Sequence, residues 1–137
     1  MPDLEFLRPP GCFKGDVPLS LAVQAGQLIF VSGIPGFDSG GCVAAGDFPA
    51  QMTQAMENIS RILATVGADW CSVTKVTVLL TRRQDFEAMN EIYARYFRNG
   101  LYPARTTAIV LGLPNPDFLV EIECQAMLLA RNDEVIE

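Results

Sequence analysis

Along the chain the apolar residues change period several times, and each change marks an element. From Phe48 to Val66, Met52, Ala55, Met56, Ile59, Ile62, Leu63 and Val66 recur every three or four positions, which is the spacing of one helix face. Asp47 stands as the N-cap of this helix and Gly67 as its stop. A second helix opens at Asp85, shows Phe86, Met89, Ile92, Tyr93, Tyr96 and Phe97 on one face, and ends at Asn99-Gly100. The other apolar runs have strand character. Ser20–Gln24 and Gln27–Ser32 flank a tight turn at Ala25-Gly26, and Thr74–Thr81, Arg105–Leu111 and Phe118–Leu129 follow. The order β-β-α-β-α-β-β predicts an α+β fold, a sheet with both helices packed on one face.

The last run is long for a strand, about twelve residues against the usual five or six. Alternation puts Phe118, Val120, Ile122, Cys124, Ala126 and Leu128 on one side, a wholly apolar face that must carry the helices. The other side mixes Leu119, Met127 and Leu129 with Glu121, Glu123 and Gln125. That face is too apolar to be left in water and too charged for a monomer core. It suits a subunit interface containing a polar site.

Composition sets limits on the chemistry. The 137 residues, half of them hydrophobic, are expected to form one globular domain spanning 1–137. No apolar run approaches the ~20 residues of a membrane helix, and the acidic start Met1-Pro2-Asp3-Leu4-Glu5 is unlike a leader. A soluble, cytoplasmic protein with no membrane partner is expected. The net charge of −6 disfavours nucleic acid, whose binding rests on clustered Lys and Arg; here only Arg82 and Arg83 are adjacent. The four cysteines form no CxxC pair, so no zinc knuckle or redox dithiol is written, and no metal or cofactor is expected. Histidine is absent altogether, which removes Ser-His and Cys-His pairs and the commonest general base. Chemistry here must run on carboxylates, arginine, hydroxyls and backbone.

Two stretches concentrate such groups. In Pro103-Ala104-Arg105-Thr106-Thr107-Ala108-Ile109-Val110-Leu111 one arginine opens an apolar run, and in Val120-Glu121-Ile122-Glu123-Cys124 two acids interrupt another. Arg105 and a glutamate of a neighbouring strand could form an ion pair that satisfies two half-buried charges. Alternatively Arg105 grips a ligand carboxylate with two N–H groups while a glutamate positions water. Spacing does not choose between these readings.

"PART", "LGLP" and "VEIEC", in that order, closely resemble the C-terminal signature of the RidA/YjgF family of enamine/imine deaminases. Phe30-Val31-Ser32-Gly33-Ile34-Pro35 looks like that family's strand-end "SGQIP" motif, and Asp85-Phe86, Asn90, Tyr93 and Phe97 resemble its second helix. The resemblance implies a chorismate-mutase-like fold and a homotrimer with a barrel-like interior and three sites between subunits. It implies that Arg105 grips the substrate carboxylate and that Glu121 is associated with the hydrolytic water. Ser32 and Gly33 would line the pocket and offer backbone hydrogen bonds, with Asn90 nearby. Glu123 shares the face of Glu121 and is expected to form an interface ion pair.

The chemistry so implied dispenses with histidine. An enamine tautomerises to an imine whose protonated carbon is already electrophilic, so ordering one water and holding the carboxylate are enough. The products are a 2-oxo acid and ammonia. Two positions depart from the family pattern. Leu19 stands thirteen residues before Ser32, where an aromatic residue is common, and Thr107 stands two after Arg105, where a small residue or cysteine is common. Both point to a substrate other than the common 2-aminoacrylate; a larger enamine acid such as a 2-aminomuconate, or an aminoacrylate isomer from ring catabolism, fits a pocket opened by Leu19. The competing expectation is a non-catalytic trimer that binds small carboxylates.

Overall fold

The protein was analysed as a computed structural model, which describes residues 4–129. Its strands are β1 (Leu4–Leu7), β2 (Ala22–Ala25), β3 (Leu28–Pro35), β4 (Val73–Leu80), β5 (Ala104–Ile109) and β6 (Val120–Met127); its helices are α1 (Phe48–Ala64) and α2 (Phe86–Ala94). The strands form one mixed sheet in the order β1-β2-β3-β6-β4-β5, and only the β4–β5 pair is parallel. Both β3 and β4 run antiparallel to β6 and hence parallel to each other. The chain therefore makes two crossovers in one direction along the sheet, β3-α1-β4 and β4-α2-β5. Right-handed crossovers of that kind put both helices on the same side. The expected α+β arrangement is found.

The core lies between that side and the helices. Ile29, Val31, Val76, Val78, Leu80, Val120, Ile122 and Ala126 meet Met52, Met56, Ile59, Ile62 and Leu63 of α1 and Met89, Ile92 and Tyr93 of α2. Asp47 is the N-cap of α1 as expected, its side chain accepting from the Ala50 amide, with Pro49 in the first turn.

Besides end shifts of up to three residues in other elements, three differences from the sequence reading stand out. A further strand, β1, pairs with β2; only four residues long and mostly exposed at the sheet edge, it carries too little alternation to be recognised. The second helix stops at Ala94, because the amides of Arg95, Tyr96 and Phe97 bond three residues back rather than four. Strand β6 has eight residues, not twelve. The Phe118 amide turns back to Asn115 O and the Leu119 amide donates to Gln51 Oε1, so neither enters the ladder.

Gln51 ties this end of the sheet to α1. Fully buried, it donates through Nε2 to Ala44 O and Asp117 O, each at 3.0 Å, and accepts from Leu119 N at 2.9 Å. Gly36 makes the approach possible, since a Cβ there would fall on the Gln51 backbone. Gln51→Leu fills the same space but strands three backbone groups, so it is expected to cost about 3 kcal/mol or more. Urea unfolding of the variant beside the wild type measures this.

Candidate functional site

The register along β4 fixes the side of the sheet on which each polar residue falls. Arg105 lies opposite Val76 and Thr107 opposite Val78, both on the buried, helix-bearing side. Glu121 lies opposite Leu79 and Glu123 opposite Thr77, on the other side. Arg105 and Glu121 thus project from opposite faces of one sheet, with β4 between their strands. The ion pair that the spacing left open is not formed. Among the described residues the only salt bridge is Arg82–Asp85, at 2.8 Å.

The residues proposed from sequence sort into two clusters. The first follows the seam between α2 and β5. The Arg105 guanidinium lies over the Tyr93 ring, 4.9 Å from its centroid, with Nη1 3.8 Å from Met89 Sδ. It borders a groove of about 330 Å³ with Asn90, Ala94, Tyr102 and Pro103. Two residues along β5, Thr107 lines a neighbouring groove with Arg83, Gln84, Phe86, Glu87 and Ile109.

The second cluster gathers around an irregularity in β3. Between Val31 and Ile34 that strand advances three residues while β6 advances two, from Cys124 to Ile122. The extra residue makes a β-bulge at Ser32-Gly33, the "SG" of the sequence motif. The Ser32 amide bonds Leu21 O at 2.9 Å and its hydroxyl donates to Ser20 O at 2.6 Å, fastening the bulge to the segment that carries Leu19. Leu19 is exposed and borders a cavity of about 340 Å³ with Arg8, Cys12, Lys14 and Val17. Gly33 lies against Glu121 so closely that a Cβ would coincide with the carboxylate. A side chain at position 33 would displace the acid.

Glu121 is half-buried, and its pKa is raised, first by desolvation and then by the negative charge of Glu123. Around it the open face of the sheet leaves Phe30, Leu28 and Met127 exposed, with Phe30 paired to Gln125 and Leu28 to Met127. Beside them Phe30, Lys75, Thr77, Glu123 and Gln125 border a cavity of about 200 Å³. Among the described residues no group of three or more His, Cys, Asp or Glu side chains is placed to hold a metal ion.

Asn90 and Arg105 therefore share one groove, while Leu19, Ser32, Gly33 and Glu121 belong to the other cluster. A single chain does not bring the two together. Sequence reasoning missed Met89 and Tyr93 as the bed beneath Arg105. Their spacing of four was visible, but a stripe of that kind reads as core, and both residues are indeed buried.

Comparison with known proteins identifies the family and the fold. A relative named Reactive Intermediate Deaminase A, chloroplastic, from Arabidopsis thaliana is 40% identical over 81% of the chain. The chain spans 59% of that relative's length. The 2-iminobutanoate/2-iminopropanoate deaminase of Mus musculus is 41% identical, covering 80% of this chain and 81% of its own. The crystal structure of E. coli TdcF with bound serine superposes with a TM-score of 0.84 at 27% identity, over 91% of this chain and 99% of that one. The family model described as Endoribonuclease L-PSP matches residues 13–128, and the chain accordingly belongs to that family, the RidA/YjgF family.

Proposed function

We propose that the protein is an enamine/imine deaminase, a C–N hydrolase that converts a 2-imino acid to a 2-oxo acid and ammonia. The proposed site forms between the subunits of a homotrimer of single-domain chains. The observation that carries the reading is the opposition of Arg105 and Glu121 across the sheet. Each chain offers half a site on either face, and a neighbouring chain supplies the other half. The exposed Leu28, Phe30 and Met127 on the face of Glu121 support burial of that face against another subunit.

In this reading Arg105 forks onto the substrate carboxylate, with Asn90 and Thr107 beside it. Glu121 of the adjoining subunit accepts a proton from water as the water oxygen bonds to the imine carbon. The resulting carbinolamine collapses when its nitrogen has taken up a proton; the C–N bond breaks, ammonia leaves and the carbonyl forms. The raised pKa of Glu121 brings its basicity nearer to neutrality, which suits a general base. The bulge at Ser32-Gly33 gives the carboxylate room. Leu19, where an aromatic residue is common, extends the proposal to larger enamine acids such as a 2-aminomuconate. The name of the mouse relative and the serine bound to TdcF support a small amino-acid-like substrate, and the name of the Arabidopsis relative supports a deaminase. Free Cys42 and Cys71, both exposed, support a reducing, cytoplasmic setting. RNA cleavage, the activity in the family's description, is not proposed. A net charge of −6 repels phosphate, and there is no histidine to serve as acid or base.

Three outcomes are expected. Sedimentation equilibrium at micromolar concentration gives a mass near three times the 15.0 kDa chain, and a stable monomer would remove the shared site. When imino acids are generated in situ by an amino-acid oxidase, Arg105→Lys keeps the fold but lowers kcat/KM about 10- to 100-fold, because the ammonium lacks the planar fork. Carboxylate binding without ammonia release in the wild type would instead leave a non-catalytic binder.

The third outcome concerns pH. Glu121 must be ionised to accept a proton, and its pKa is raised, so kcat/KM falls on the acid side above the ordinary carboxylate range. Glu123→Gln removes a negative neighbour and lowers the pKa of Glu121, moving this limb to lower pH. Glu121→Gln slows turnover on the order of 10²- to 10⁴-fold, with an intact fold by circular dichroism. An acid limb unmoved by Glu123→Gln would assign it to another group.

A further inference from the structure

Among the described residues Arg105 has no acidic partner. A guanidinium can be oriented by a carboxylate, which cancels its charge, or by carbonyl oxygens, which occupy its N–H groups. An aromatic face does neither, because it attracts the cation through its quadrupole and meets the flat of the group rather than its edge. The ring of Tyr93 lies 4.9 Å beneath Arg105 Cζ, and the Met89 sulfur, 3.8 Å from Nη1, is the one weak acceptor beside it.

The bed is rigid. Tyr93 is 3% exposed and Met89 is fully buried. The Tyr93 ring is held by Phe97 at 4.8 Å and stacked on Tyr102 at 6.5 Å. Its hydroxyl is buried and has no hydrogen-bond partner among the described residues. The contact that Tyr93 makes with Arg105 is made by its ring. We propose that Tyr93 is a positioning residue for Arg105, its ring fixing the plane of the guanidinium while leaving charge and N–H edge available to a ligand carboxylate. The proposal rests on the reading of Arg105 as carboxylate anchor.

The test separates the two. Binding of 2-oxobutanoate, a carboxylate that is not turned over, is measured by calorimetry on the assembled full chain for wild type, Arg105→Ala, Tyr93→Phe, Tyr93→Leu and Tyr93→pentafluorophenylalanine. The fluorinated ring keeps the shape of Phe but reverses the sign of its quadrupole. Tyr93→Phe should retain most of the affinity, while the fluorinated variant and Tyr93→Leu should bind about 5- to 30-fold more weakly. In turnover the loss should appear mainly in KM. A purely structural ring would make Phe and its fluorinated analogue bind alike, and that result would overturn the role of Tyr93 even if Tyr93→Leu failed to fold. Should Arg105→Ala bind as tightly as wild type, the anchor reading fails and this proposal with it. Weak binding by Arg105→Ala together with equal binding by the two ring variants rejects the Tyr93 proposal alone.

Discussion

The pairing of β4 with its two neighbours is the constraint on which the rest depends. Side chains alternate across a pleated sheet, so a slip of one residue in either ladder would send a whole row to the opposite face. As it stands, Val76 and Val78 hold Arg105 and Thr107 on the helix side, while Leu79 and Thr77 hold Glu121 and Glu123 on the open side. The buried Val120, Ile122, Cys124 and Ala126 enforce that register, because each would otherwise face water. Apolar packing on one face therefore determines where the charges lie on the other.

Much of this was legible because the signals are periodic. The 3.6-residue stripe of α1 holds from Met52 to Leu63, though the helix ends at Ala64 short of Val66, its Asp47 cap holds too, and the alternation of Val120 to Ala126 correctly divides an apolar face from an acidic one. What was not legible is which face each strand turns towards its partners. Alternation says that Arg105 and Thr107 share a side and that Glu121 and Glu123 share a side. It does not say that these sides differ, since that depends on how β5 and β6 each pair with β4, which lies between them. The bulge at Ser32-Gly33 was equally hidden, for a bulge is a mismatch of two strands and not a property of either. Strand ends were overread for a related reason: Phe118 and Leu119 look like strand but give their amides to Asn115 and Gln51.

The surroundings of Arg105 and of Glu121 differ in kind. Around Arg105 the surroundings are aromatic and sulfur-bearing, so the cation keeps its charge and is oriented by polarisable faces. Around Glu121 the device is desolvation beside a like charge, with glycine supplying the space. One environment leaves a cation unneutralised and the other makes an anion more basic. Neither is a way to gain stability, which would be better served by pairing the two charges within the chain.

An arginine and a glutamate brought together on one face would neutralise each other, and a ligand would have to break the pair before it could bind either. Separation across the sheet prevents this within a chain. In the proposed assembly the charges meet only where subunits adjoin, at a distance set by packing of the open face. A carboxylate-bearing substrate then satisfies the arginine, leaving the glutamate to act on water. In the proposed mechanism the arginine supplies binding and charge, the acid supplies proton transfer and the imine carbon supplies the electrophile, a division of labour that needs no histidine.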